Sequence, residues 1–339
     1  MASTGLSIGS NAVTIPLAER YRDRLPFTES TPVVSLGEGS TPLLPAPRLS
    51  ERLGVELWLK WEGANPTGSF KDRGMTVAVS KAVEEGATAV VCASTGNTAA
   101  SAATYATRAG IGAVILQPAG AVARGKIAQA QAVGALLLEV QGSFEAALDA
   151  ARELGRRGSH ALVNSLNPHR LEGQKTAALE IVEELGGAPD VLALPYGGGG
   201  NTRAYALGFD ESGAGLPPIL AGEATERAFT MATAIRIAEP AHRMEAEAVI
   251  ARSGGAVVPL ADEEILAAWR DLARLEGVFC EPSSAAGVAA VVRERPEPGA
   301  RVVCVVTGHG LKDPEAAARL STPPIQVPPD ADAIAEAAS

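Results

Sequence analysis

From residue 56 onward the chain repeats one pattern: a short apolar run, a turn rich in glycine or hydroxyl residues, then a stretch with helical spacing. The runs fall at 56–61, 89–93, 113–117, 136–140, 161–163, 191–195, 219–222 and 301–306. Several are continuous and not alternating, which is how strands covered by helices on both faces read. Helices are predicted between them, around 96–109, 125–133, 143–154, 170–185 and 262–276. The pattern implies an open α/β architecture with mostly parallel sheets. Ligands in such folds collect at the carboxyl ends of strands, so the chemistry belongs in the turns that follow them.

Composition sets the outer limits. With 339 residues, 46% of them hydrophobic and 20% charged, the chain can bury a large core and divide into two lobes. A formal charge of −10 without a lysine- or arginine-dense run argues against nucleic acid and against an anionic membrane surface as partners. Cys92, Cys280 and Cys304 lie in apolar runs without metal or disulfide spacing, so buried reduced thiols of a cytoplasmic protein are expected, and no metal. No apolar run is long enough to span a bilayer, and the N-terminus lacks the basic-then-apolar order of a signal peptide. Residues 1–14 read as a loose tail, and 16–26 as a short mixed-charge helix.

The stretch Asn65-Pro66-Thr67-Gly68-Ser69-Phe70-Lys71-Asp72-Arg73-Gly74 changes the backbone state abruptly, from strand to helix, and leaves Lys71 at the junction. There the helix dipole and partial burial both lower an amine's pKa, freeing it to form a Schiff base with an aldehyde cofactor and to move protons. A solvated lysine in a first helical turn is the plain alternative. Ser94-Thr95-Gly96-Asn97-Thr98 follows a strand and opens a helix, offering hydroxyls and backbone N–H groups to an anion such as a carboxylate, or simply an N-cap. Tyr196-Gly197-Gly198-Gly199-Gly200-Asn201-Thr202 lets N–H groups converge on a phosphate, yet it matches neither the Walker nor the dinucleotide fingerprint. Asn164-Ser165-Leu166-Asn167-Pro168-His169-Arg170 gathers donors around one turn, a set suited to a doubly charged phosphate or to a capped helix start. Thr307, ending a buried strand before Gly308-His309-Gly310-Leu311-Lys312-Asp313, can hydrogen-bond a neutral pyridine nitrogen or simply terminate the strand, and His309 reads as a turn residue.

Together these segments resemble the fold-type II pyridoxal-phosphate (PLP) enzymes, two-lobed and similar to the tryptophan synthase β-subunit, and among them the threonine synthases. The resemblance runs from about Leu17 to Pro314 and includes Gly37-Glu38-Gly39-Ser40-Thr41-Pro42-Leu43, Ala232-Thr233-Ala234-Ile235-Arg236-Ile237 and Glu281-Pro282-Ser283-Ser284-Ala285-Ala286. It implies that Lys71 holds PLP, that Asn97 bonds the cofactor's phenolic oxygen, and that Gly197, Gly198, Gly199, Gly200 and Asn201 cup its phosphate. It gives the pyridine nitrogen to Thr307 and the substrate carboxylate to Ser94, Thr95 and Thr98. Asn164, Ser165 and Arg170 become ligands of the phosphate of O-phosphohomoserine, a motif that the hydroxy-amino-acid dehydratases do not show. The implied reaction is β,γ-elimination followed by β-hydration, in a homodimer.

The expected division is 15–71 with 165–320 as a large PLP-binding lobe, 72–164 as a small mobile lobe and 321–339 as a peripheral tail. Departures from the family lie at Gly198 and Gly199, usually Asn and Ala, in a shortened 208–230, and in Ala238-Glu239-Pro240 where GNP is usual. They leave open a paralogue of specialised metabolism acting on another activated amino acid by elimination or replacement, a dehydratase-like lyase, and a PLP-binding protein without turnover.

Overall fold

The apolar runs form parallel strands, and those at 89–93, 191–195 and 301–306 are buried on both faces, whereas 136–140 is largely exposed. The structure, a computed structural model, describes residues 15–120, 124–319 and 322–338; the expected loose tail at 1–14 lies outside the described residues. The larger sheet has the order β1 (Leu43–Pro45), β2 (Glu56–Trp61), β10 (Arg301–Val306), β7 (Val191–Pro195), β8 (Ile219–Ala224), β9 (Ala256–Leu260). Its strands are parallel except for the antiparallel β1 edge. The smaller sheet, all parallel, runs β5 (Leu136–Val140), β4 (Gly112–Pro118), β3 (Ala89–Ala93), β6 (His160–Leu162). The larger sheet thus draws on residues 43–61 and 191–306, the smaller on 89–162.

In chain order the helices are α1 (Leu17–Arg20), α2 (Pro47–Leu53), α3 (Lys71–Glu84), α4 (Asn97–Ala109), α5 (Arg124–Ala132), α6 (Phe144–Arg156), α7 (Pro168–Leu185), α8 (Gly200–Ser212), α9 (Arg243–Arg252), α10 (Asp262–Glu276), α11 (Ala286–Glu294), α12 (Pro314–Arg319) and α13 (Ala331–Ala338). The helix expected over 16–26 is only the short α1 and a 3-10 turn at Arg22–Arg24. Within β10, Val302, Cys304 and Val306 face a core shared with α10 and α11, while Val303 and Val305 face one shared with α7 and α8. The three cysteines are buried and unpaired by disulfides, and burial pushes the Cys92 thiol up to about 12. No helix among the described residues is long and apolar enough to cross a membrane.

Two features of the packing fix the lysine junction. Helix α3 lies on α7 at a separation that only glycines permit: a Cβ on Gly173 would sit 1.8 Å from the Arg73 carbonyl oxygen, and one on Gly74 would sit 2.7 Å from that of Arg170. This contact brings Arg170 beside the start of α3. The second feature is a buried charge cluster. Arg73 donates to Glu62 through Nε (2.7 Å) and Nη2 (2.9 Å), and to Glu180 through Nη1 (2.7 Å) and Nη2 (2.6 Å). Lys60 Nζ lies 2.8 Å from Glu180 Oε2 and donates to the Thr41 carbonyl at 2.7 Å. Burial opposes the charge on Glu180, but Arg73 and Lys60 outweigh it and hold the carboxyl at about 2. Removing one partner of such a cluster strands buried charge. Arg73→Met should therefore lower unfolding free energy by about 3–5 kcal/mol, read from urea denaturation; a loss under about 1 kcal/mol would show that the cluster does not hold the junction.

Candidate active site

Lys71 opens α3, whose N-cap, Phe70, supplies no side-chain hydrogen bond, so the lysine sits at an uncapped helix start. It is half-buried, with Nζ 4.2 Å from the centroid of the Phe70 ring. Burial and, after it, the charge of Arg170 bring its pKa down to about 7 against the opposing pull of Glu281. The next two residues are anchors. Asp72 accepts from Thr67 N (2.7 Å), Thr67 Oγ1 (2.6 Å) and Ser101 Oγ (2.6 Å), tying the loop to itself and to α4, while Arg73 enters the buried cluster.

The turn after β10 is stitched to the lysine loop. Phe70 N donates to the Thr307 carbonyl (3.0 Å), His309 N donates to that of Gly68 (2.8 Å), and Lys312 Nζ donates to that of Thr67 (3.0 Å). Thr307 is buried, its hydroxyl 2.9 Å from that of Ser284, which accepts from Gly308 N at 2.8 Å. His309 Nδ1 accepts from Leu311 N at 3.1 Å, which fits a turn residue.

The turn between β3 and α4 holds Ser94, Thr95, Asn97 and Thr98 half-buried. The N-cap of α4 is Gly96 and no side chain caps the helix, so the plain capping role is not filled by Ser94 or Thr95. Ser94 Oγ accepts from Gly96 N at 3.3 Å. Asn97 Nδ2 donates to both oxygens of Glu281, at 3.0 and 3.1 Å. Glu281 thereby joins Asn97 to the electrostatics of Lys71, a link between residues 184 positions apart that sequence reasoning missed. Its only local signal is a lone carboxylate between Cys280 and Pro282 in an apolar run.

Helix α8 begins just as openly. Its N-cap, Gly199, has φ +82 and no capping side chain, and a Cβ there would meet the His242 carbonyl oxygen at 2.8 Å. Gly198 is different: an added Cβ would find Ile237 Cδ1 at an ordinary 3.6 Å, so this position has room for a side chain. Asn201 accepts from Gln174 Nε2 at 3.3 Å through Oδ1, while its buried Nδ2 has no partner.

Arg170 is buried at 1% exposure; Nη1 donates to the Val163 carbonyl and Nη2 to Gln174, both at 3.3 Å, and Nε has no partner. Burial lowers its pKa to about 10. Asn164 is engaged differently from the expectation. Its Oδ1 accepts from Ala93 N (3.0 Å) and its Nδ2 donates to Ala93 O (2.9 Å), so the amide clamps the end of β3 and keeps only one hydrogen for a ligand. Ser165 is half-buried in the same turn, and its carbonyl lies 3.0 Å from His242 Nε2.

The turns after β3, β6, β7 and β10 and the start of α3 therefore converge through direct contacts. A lysine of lowered pKa at one uncapped helix start, two further uncapped starts at α4 and α8, and orphaned buried N–H donors on Arg170 and Asn201 are what an enzyme that binds an aldehyde cofactor together with anions requires. The family described as pyridoxal-phosphate dependent enzyme matches residues 34–308. Maize serine racemase superposes with a TM-score of 0.71 at 23% identity, covering 83% of this chain and 91% of that one, which shows the fold.

The threonine synthase of Synechocystis is 48% identical over 343 residues, spanning 95% of this chain and 90% of its own. That of Halalkalibacterium halodurans is 49% identical over 320 residues, 89% of this chain and 90% of its own. The chain belongs to the threonine synthase family of pyridoxal-phosphate dependent enzymes. Its residues fit the cofactor on structural grounds: an amine of lowered pKa suits the aldehyde, and the uncapped α8 with the orphaned Asn201 amide suits a phosphate.

The Glu281 contact carries a prediction about that amine. Removing the carboxylate charge takes away what raises the Lys71 pKa, so it should fall further below about 7. Neutral amine is the reactive form, and uptake of PLP by apoprotein, followed by visible absorbance, should rise with pH around that midpoint. In Glu281→Gln the curve should move to lower pH; an unmoved curve would contradict the link.

Proposed function

We propose that the protein converts O-phospho-L-homoserine and water to L-threonine and inorganic phosphate, as a cytoplasmic homodimer whose 72–164 lobe closes on the rest. The observation that carries this reading is Arg170: a fully buried guanidinium beside Lys71, with an unpartnered Nε, in the turn that also bears Ser165. Such a group is stable in the interior only when an anion comes to meet it.

Bound PLP supplies an aldehyde to the amine and a ring that withdraws charge from the substrate's α-carbon. In this reading Gly197, Gly198, Gly199, Gly200 and Asn201 would hold the cofactor's phosphate, Thr307 would donate to its ring nitrogen, and Asn97, backed by Glu281, would donate to its phenolic oxygen. Ser94, Thr95 and Thr98 fix the substrate carboxylate. Lys71 takes the α-proton, a second proton leaves the β-carbon, and the γ-phosphate departs toward Arg170, Ser165 and the remaining Asn164 hydrogen. The γ-carbon then gains one proton and the α-carbon regains another from Lys71, while the β-carbon takes hydroxyl from water, whose proton leaves with the phosphate. Arg170 steadies charge that grows on the leaving phosphate, an effect that increases as water is excluded.

The test is to incubate the PLP-loaded protein with O-phosphohomoserine and quantify phosphate and threonine, then repeat with serine, threonine and homoserine. Equal amounts of both products from the phosphorylated substrate are expected, with little 2-oxobutyrate from threonine. Dehydration of serine or threonine as the main activity would favour the lyase reading and remove this one.

A further inference from the structure

We infer that His242, oriented by Arg203, is a positioning residue that locks the Ser165 turn to the glycine turn and so sets the distance between two anion sites. This rests on the proposed reading of those turns as the substrate-phosphate and cofactor-phosphate sites. His242 precedes α9 and is 7% exposed. Its backbone N donates to the Gly198 carbonyl at 3.1 Å, and its own carbonyl roofs Gly199. On the ring, Nε2 lies 3.0 Å from the Ser165 carbonyl oxygen, and Nδ1 lies 2.8 Å from Arg203 Nη1 on the first turn of α8.

The two ring partners decide the protonation state. A carbonyl can only accept, so Nε2 carries the hydrogen; a guanidinium can only donate, so Nδ1 carries a lone pair. The ring thus donates through Nε2 and accepts through Nδ1, and it cannot flip without losing both contacts. The only other side-chain tie described between these segments is the longer Gln174–Asn201 hydrogen bond at 3.3 Å. Ser165 lies in a turn outside any helix or strand; Asn164 on Ala93 and Asn167 Nδ2 on the Leu162 carbonyl (2.8 Å) hold its neighbours, while His242 holds the Ser165 carbonyl itself. A bound phosphate feels that directly, since a misplacement of about 1 Å can cost about 100-fold. PLP does not, because the contact to Gly198 is made by the His242 backbone and survives replacement of the ring.

The test measures binding of inorganic phosphate to the PLP-loaded protein by calorimetry, retention of PLP by visible absorbance, and KM and kcat for O-phosphohomoserine. His242→Leu should weaken phosphate binding and raise KM by about tenfold or more, with kcat falling less and PLP retained. His242→Gln, whose amide can donate to Ser165 and accept from Arg203, should restore both to within about threefold. Arg203→Met, which leaves the imidazole in place but unfixed, should weaken phosphate binding in the same direction and serves if the leucine variant does not fold. Unchanged phosphate binding in His242→Leu or Arg203→Met, loss of PLP in parallel with phosphate, or no rescue by glutamine would each overturn the inference. A wild-type protein that neither binds phosphate nor uses O-phosphohomoserine would instead overturn the reading on which it rests.

Discussion

Lys71→Ala is expected to abolish threonine formation, a loss of at least about 10³-fold, and to remove the visible absorption of the PLP-loaded protein. The size follows from two tasks placed on one amine. In the proposed function it condenses with the cofactor's aldehyde and then moves protons on the bound substrate. Neither has a substitute within the site as described: Arg170 stays charged with its pKa at about 10, and His309 Nδ1 is occupied by the Leu311 N–H. The variant should still fold, because Asp72 and Arg73 anchor the start of α3 without the lysine side chain. Circular dichroism and urea denaturation check this. A Lys71→Ala protein that keeps both colour and turnover would mean that the amine is elsewhere.

Arg170→Ala is the second large effect. The value of kcat/KM for O-phosphohomoserine should fall by about 10²–10³-fold, the cost of deleting a donor that meets developing charge in a water-excluded site. PLP should remain bound, because the residues proposed to hold it lie on other turns. Removing the buried charge also raises the pKa of Lys71, since Arg170 is the second cause of its depression after burial. The pH curve for PLP uptake should then move toward higher pH, opposite to the shift in Glu281→Gln. Stability should change little or rise, because a desolvated cation is lost. Unchanged kcat/KM would remove the phosphate assignment.

All four strands of the smaller sheet were legible in the sequence, edges included, but in the larger sheet only the interior ones were. Of the six strands in the larger sheet, β1 and β9 went unpredicted; both are edge strands, and both contain a proline, Pro45 and Pro259. Proline interrupts an apolar run in the sequence and yet is tolerated at an edge, where its missing N–H spoils no ladder. Turn chemistry was equally readable, because glycines and hydroxyls beside a strand end announce themselves locally. What could not be read were side chains recruited from far along the chain. Glu281 matters through Asn97 and Lys71, Ser284 through Thr307, and His242 through Ser165 and Arg203. Asn164 shows the converse: its motif resembles a ligand set, but the fold spends most of its amide on Ala93.

The glycine turn joins the two levels. Gly199 is required by its positive φ and by the His242 carbonyl above it, whereas Gly198 has room for a larger residue. A side chain at 198 is therefore excluded by nothing in the protein itself.

Borohydride reduction of the PLP-loaded protein followed by peptide mass spectrometry tests the central claim most directly. The account predicts a single pyridoxyl adduct, on Lys71. An adduct on Lys60, Lys312 or any other lysine, with Lys71 unmodified, would contradict it.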